Sequence, residues 1–217
     1  MFILRRLINT IFKLVSMEAY LDNAATTMLA KEVIAEMNKA MLTLNGNPSS
    51  LHKLGRLASE AIQKSREIIA HKLNCDPSEI IFTSSGTESD NLALRGAVKA
   101  SGKNHIITSN IEHPAVLNTC KDIEKDGVQV TYIKVDQNGL INLKELETSI
   151  KKNTVLVTIM HANNEIGTIQ DINRIGKICK KNNVLFHTDA VQSFGKIPIN
   201  LDNVDMLSIS SHKIHGP

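Results

Sequence analysis

The chain has 217 residues, is 42% hydrophobic and 22% charged, and holds no Pro-, Ser- or Gln-rich tract and no internal repeat, which excludes a disordered or low-complexity protein and leaves room for a sizeable core. Aromatics make up 3% and Trp is absent, so that core has to rest on Ile, Leu, Val and Ala. The formal charge of +3 equals the contribution of Arg5, Arg6 and Lys13 in the acid-free segment Met1–Ser16; the remainder is neutral and offers no footprint for nucleic acid.

That first segment, MFILRRLINTIFKLVS, is interrupted by Lys13, is too short to span a bilayer and lacks a secretory cleavage site. It reads either as an extension upstream of a start at Met17 or as an organelle-targeting or interfacial helix. The expectation is a cytoplasmic protein with no membrane partner, or an organellar one if residues 1–16 are a targeting segment. Cys75, Cys120 and Cys179 are odd in number and widely spaced, which points to a reducing compartment and to neither a disulfide framework nor a metal site.

After the turn region Asp22–Thr27, Lys31–Leu44 reads as a helix, and Asn45-Gly46-Asn47-Pro48 breaks it. Leu57, Ala58, Ala61, Ile62, Ile68, Ile69 and Leu73 share a face of a long helix over His52–Asn74. Short β-branched runs then appear at Ile80–Thr83, His105–Thr108, Val128–Lys134, Thr154–Met160, Val184–Thr188 and Met206–Ser210. Helical stretches separate the first five, near Glu88–Lys99, Pro114–Lys125, Leu143–Lys151 and Asp171–Lys181, with capping boxes expected at Ser85/Glu88 and Asn142/Glu145. This alternation predicts an α/β fold with a mainly parallel sheet flanked by helices, and ligands gather at the carboxyl ends of such strands.

Several strand ends carry unusual polar groups. Ser84-Ser85-Gly86-Thr87-Glu88-Ser89 opens a helix and suits either a phosphate or a plain cap. His113 precedes a helix-starting Pro114 and reads as an acid/base group, a stacking ring or a solvated loop histidine. Asn163 and Asn164 end the fourth run and either cap a turn or meet a ligand. Asp189 ends a buried strand, where a carboxylate is costly unless it meets a cation or donors. Lys213, just past the last run, is either a surface residue or a Schiff-base former. Together and in this order, a phosphate loop, a ring-stacking His, an Asp for a pyridinium nitrogen and a strand-end Lys make a pyridoxal-phosphate site.

YLDNAATT, NPSSLH, FTSSGTESDNLA, IEHPAVL, HANNEIGTIQDI, HTDAVQSFGKIP and SSHKIHGP, spread from Tyr20 to Pro217, closely resemble motifs of the cysteine desulfurases in the class V aminotransferase group. The resemblance implies a fold-type-I pyridoxal-phosphate large domain over residues 17–217, led in by the arm and helices of 17–75 and truncated before a small C-terminal domain. It implies pyridoxal 5'-phosphate as cofactor, with Lys213 forming the Schiff base and shuttling protons. Gly86, Thr87, Ser210 and His212 hold the phosphate, His113 stacks on the ring and moves a proton, and Asp189 keeps the ring nitrogen protonated. Gln192 and Asn164 lie near the ring oxygen. L-cysteine is the implied substrate, converted to alanine, with a homodimer and a sulfur-acceptor or scaffold protein as partners. The nucleophilic Cys and the carboxylate-gripping Arg of the family belong to the part beyond Lys213 and are not assigned. A selenocysteine lyase, another aminotransferase of the group and a non-catalytic subunit of a split enzyme are the alternatives.

Overall fold

A computed structural model describes residues 19–217; the readings made for Met1–Ser16 lie outside the described residues. The helices are α1 (Lys31–Thr43), α2 (Lys53–Leu73), α3 (Gly86–Ser101), α4 (Pro114–Lys125), α5 (Leu143–Ser149) and α6 (Ile172–Lys181). The strands are β1 (His105–Ser109), β2 (Gln129–Ile133), β3 (Thr154–Thr158), β4 (Leu185–Asp189) and β5 (Met206–Ser208). The strands form one sheet in the order β2-β1-β3-β4-β5, every pair parallel. The strand order reverses between β1 and β3, and at that point the chain segments leaving the two strands separate and open a crevice.

The sheet is covered on both faces, as a parallel sheet has to be. On one face Ile107, Ile133, Val157, Ile159 and Phe186 meet Leu146 of α5 and Ile172, Ile175 and Cys179 of α6. On the other, Ile106, Val155 and Leu156 meet Ala93, Leu94 and Ala97 of α3 and Val116, Cys120 and Ile123 of α4. Gly176 lets α6 approach the loop before β5: a Cβ there would stand 2.0 Å from the Asn203 carbonyl oxygen.

The run Ile80–Thr83 is not a strand. It is extended, but no strand among the described residues pairs with it, and Ile81 and Phe82 remain exposed. The apolar stripe read for α2 does not close either. Gly55, Ala58 and Ala70 are its buried residues, whereas Leu57, Ile62 and Ile68 stay open because no described element packs over them. β-propensity and helical periodicity set local conformation; burial needs a partner. No helix among the described residues is long and apolar enough to cross a membrane.

Candidate active site

The carboxyl ends of the strands open on a cleft of about 1780 Å³. Gly86, Thr87, His113, Asn164, Asp189, Gln192, Ser210, His212 and Lys213, all singled out from the sequence, line it together. They arrive from separate places: the start of α3, the loop before α4, and the segments following β3, β4 and β5.

At the start of α3, Ser85 is the N-cap. Its hydroxyl accepts from the Glu88 N–H at 3.1 Å and its carbonyl accepts from the Ser89 N–H. The N–H groups of Gly86 and Thr87 make no hydrogen bond among the described residues, so they are free donors at a helix N-terminus. The Glu88 carboxylate reaches back to Ser84 rather than to Ser85, so the expected capping box is displaced by one residue; these bonds from Ser84 hold Glu88 below the usual carboxylate range. At the second expected box, Asn142 caps Lys144 and Glu145 without a return bond from Glu145. Beside Gly86 the space is narrow: a Cβ there would stand 3.2 Å from Val191 Cγ2 and 3.6 Å from Ser210 Cβ. Ser210, which precedes the 3-10 turn Ser211–Lys213, spends no side-chain bond on capping it.

His113 caps α4, accepting from the Ala115 N–H at Nδ1 (3.1 Å). A neutral ring held this way carries its proton on Nε2. The two asparagines left open by the sequence divide the work. Asn163 is buried, donates to the Ile111 carbonyl and accepts from the N–H groups of Glu165 and Ile166, so it fixes the turn. Asn164 lines the cleft and donates to Glu165.

Asp189 is buried, accepts from the Val191 N–H at 2.9 Å, and has no cation within ion-pair distance among the described residues. Burial raises its proton affinity; the Val191 bond and the neighbouring His113 and Lys213 oppose that. Lys213 donates to the carbonyls of Ala24 and Ala25 at 2.5 and 2.6 Å. Burial and the charge of Lys196 lower its pKa, against Asp22 and Asp189. His212 is also lowered, by burial and then by Lys213.

Sequence reading treated Asp22–Thr27 as a turn region and gave it no part in the site. It clasps the lysine turn: Thr27 donates to the His212 carbonyl through both its N–H and its hydroxyl, Thr26 meets His212 Nδ1, and Gln192 donates to the Ala24 carbonyl. The Thr26 and Thr27 hydroxyls and the Ala24 carbonyl share this work. Glu112 was also passed over. Fully buried, it accepts from the Ser109 hydroxyl and the Met160 N–H, tying the ends of β1 and β3, and burial pushes it up to about 8. Cys75, which the sequence assigns to neither a disulfide nor a metal site, lines the cleft with Leu73 and Glu79; burial and the charges of Glu79 and Asp76 raise its thiol. Cys120 and Cys179 are buried hydrophobes whose thiols are pushed up to about 12. Among the described residues no His/Cys/Asp/Glu cluster is arranged to hold a metal ion.

The donor set fits a group that carries both an anionic phosphate and a cationic ring: free N–H donors and hydroxyls line the cleft, and so does a buried acid without a cation among the described residues. Residues 19–217 match the sequence profile of the class-V aminotransferases. The chain is similar to a cysteine desulfurase IscS of Dictyoglomus turgidum, 50% identical over 205 residues, which covers 92% of this chain and 52% of that protein. It is similar to a cysteine desulfurase IscS of Buchnera aphidicola subsp. Baizongia pistaciae at 53% over 206 residues, covering 91% of this chain and 51% of that protein. A solved structure of SspA in complex with cysteine superposes with a TM-score of 0.89 at 46% identity, covering 92% of this chain and 59% of that one. The chain spans about half the length of the curated relatives it matches.

Proposed function

The chain belongs to the class-V aminotransferase family, and from that premise we propose that it forms the cofactor-binding part of a pyridoxal-phosphate-dependent cysteine desulfurase. That enzyme converts L-cysteine to L-alanine and delivers the sulfur to iron–sulfur or thio-cofactor assembly. The observation that carries the reading is the convergence of Lys213, Asp189, His113 and the free N–H groups of Gly86 and Thr87 on one cleft.

Bound there, the cofactor supplies an electron sink for the Cα–H bond of the amino acid. The residues of this chain do the rest. Gly86 N–H, Thr87, Ser210 and His212 hold the phosphate, with the N-terminal end of α3 adding its positive partial charge. Asp189, ionised, would keep a cationic ring nitrogen protonated. His113, with its proton at Nε2, would cover the ring face, and Gln192 and Asn164 would stand near the ring oxygen. Lys213 would hold the cofactor through Nζ and would carry the substrate's Cα proton; its lowered pKa leaves more of the amine unprotonated for both tasks. The Ala24 and Ala25 carbonyls steady Nζ in the meantime.

The reading extends to a homodimer, a sulfur-accepting or scaffold protein as partner, and a cytoplasmic location. Exposed apolar side chains on the arm and first helices, such as Leu21, Met41 and Leu51, support an assembly, and three free cysteines support a reducing compartment. The test is to treat the whole enzyme, of which this chain is the cofactor-binding part, with pyridoxal phosphate and borohydride and to assay cysteine-dependent alanine and sulfide. Lys213→Ala is expected to lose both the trapped adduct and the turnover. A trapped adduct of undiminished yield on that variant overturns the assignment.

A further inference from the structure

A second carboxyl lies beneath the site and takes no part in the chemistry above. Asp90 is 1% exposed, and its Oδ1 receives no hydrogen bond among the described residues. It sits on α3 against the face of β4 from which His187 and Asp189, two residues apart, both project. His187 Nε2 stands 3.7 Å from it, too far for a hydrogen bond. His187 is fully buried and already partnered at both nitrogens by hydroxyls, Thr158 Oγ1 at 2.8 Å and Ser208 Oγ at 3.0 Å. Hydroxyls on both sides satisfy a neutral imidazole, and burial drives its pKa down to about 4, so it brings no positive charge to Asp90. Ser208 is itself tied to Ser89 of α3 at 2.8 Å, which closes the layer.

The other elements packed on Asp90 bring no cation either. From β4 comes Asp189, a like charge; from β5 comes the hydroxyl of Ser208; from the loop leading into α4 comes Glu112, kept neutral by burial. Lys213 and His113 act on Asp189 from the cleft side. Two carboxyls buried in one layer disfavour each other's ionisation, and the one without a cation of its own holds its proton longer.

We propose that Asp90 is a positioning residue that holds the proton of this pair, so that the single negative charge stands on Asp189, where a cationic ring nitrogen needs it. The purpose given to that charge rests on the proposed cofactor; the division of the proton does not. Burial and the charge of Asp189 both raise Asp90, to about 8, and the Ser208 hydroxyl offsets part of that. An Asp90 that ionised would make Asp189 hold its own proton more tightly and leave the ring nitrogen without a counter-charge.

The arrangement predicts an asymmetry in the cofactor-free protein, read from aspartyl 13Cγ resonances against pH. One buried aspartyl step is expected on the alkaline side of neutrality, absent in Asp90→Asn. In Asp189→Asn the same step should move down by about one pH unit, a tenfold loss of proton affinity, because the like charge is gone. Asp189 itself should titrate almost unchanged in Asp90→Asn, since Asp90 is already neutral when Asp189 ionises. The reverse asymmetry, or wild-type aspartyl steps all complete below about pH 6, overturns the proposal. The wild type and Asp189→Asn suffice if Asp90→Asn does not fold. Failure of borohydride trapping at Lys213 sinks the cofactor reading and leaves this titration untouched.

Discussion

The two faces of the sheet are built from the same strands yet spend their burial differently. On the α5/α6 face, Ile107, Ile133, Val157, Ile159 and Phe186 pack against aliphatic side chains. On the α3/α4 face the same strands place apolar residues near their amino ends and polar ones toward the cleft: Ile106 gives way to Thr108, Leu156 to Thr158, and β4 presents His187 and Asp189. One face is a platform; the other, at its cleft end, is a layer of buried acids, a neutral imidazole and hydroxyls. A buried polar layer adds little to net stability, because desolvation cancels most of what its bonds return. What it adds here is control over where protons sit beneath the site.

The comparison breaks most visibly at Phe186, the largest fully buried side chain of the platform face. Phe186→Ala is expected to cost about 3–5 kcal/mol, read as a fall in the urea midpoint. Its pH dependence should parallel the wild type, because no ionisable group is touched. A changed pH dependence would mean that the two faces are not separable.

Glu112 offers the opposite signature. Its folded pKa of about 8 stands above the ordinary value of 4.5, so the native state keeps a proton that the unfolded chain releases. Stability from this group is complete below about pH 4.5 and is lost as the pH climbs through about 8, by at most a tenfold change in the folding constant per pH unit. Glu112→Gln keeps both bonds, its carbonyl accepting from Met160 and its amide donating to Ser109. It should therefore flatten that decline while changing the midpoint little at pH 5. Parallel pH profiles for variant and wild type would show that Glu112 is ionised in the native protein.

The platform was far more legible in the sequence than the acid layer. Alternation and β-branched runs located the five paired strands to within two residues, and caps such as Asp171 and His113 marked helix starts. The same rules gave Ile80–Thr83 as a strand, because propensity reports conformation and is blind to whether a neighbour exists. The loop at Ser84–Ser89, His113, Asp189 and Lys213 stand out one by one at strand ends, whereas Gln192, Ser210 and His212 enter the site only through the resemblance to the cysteine desulfurases. Asp90, His187 and Ser208 escaped, since Asp90 and Ser208 lie more than a hundred positions apart. A signal was present all the same. Asp90 precedes Ala93, Leu94 and Ala97 at helical spacing, so it is an acid on an apolar stripe. The arm's contribution through Ala24 and Ala25 carbonyls left no such trace.

The smallest expected effect lies at the start of α3, where the cap and phosphate readings of one sequence turn out to use different groups. Ser85 takes the N–H of Glu88 through its hydroxyl and that of Ser89 through its carbonyl. The N–H groups of Gly86 and Thr87 are left over, so capping the helix does not compete with binding an anion. Ser85→Ala removes a single cap bond from an exposed residue and should cost about 1 kcal/mol, visible as a small drop in urea midpoint. The carbonyl bond to Ser89 survives, and with it the path of the backbone through Gly86. Affinity for pyridoxal phosphate should then fall by less than the tenfold that 1.4 kcal/mol represents. A variant that keeps its stability but loses the cofactor would show that the Ser85 hydroxyl belongs to the phosphate rather than to the helix, and that the two readings are one.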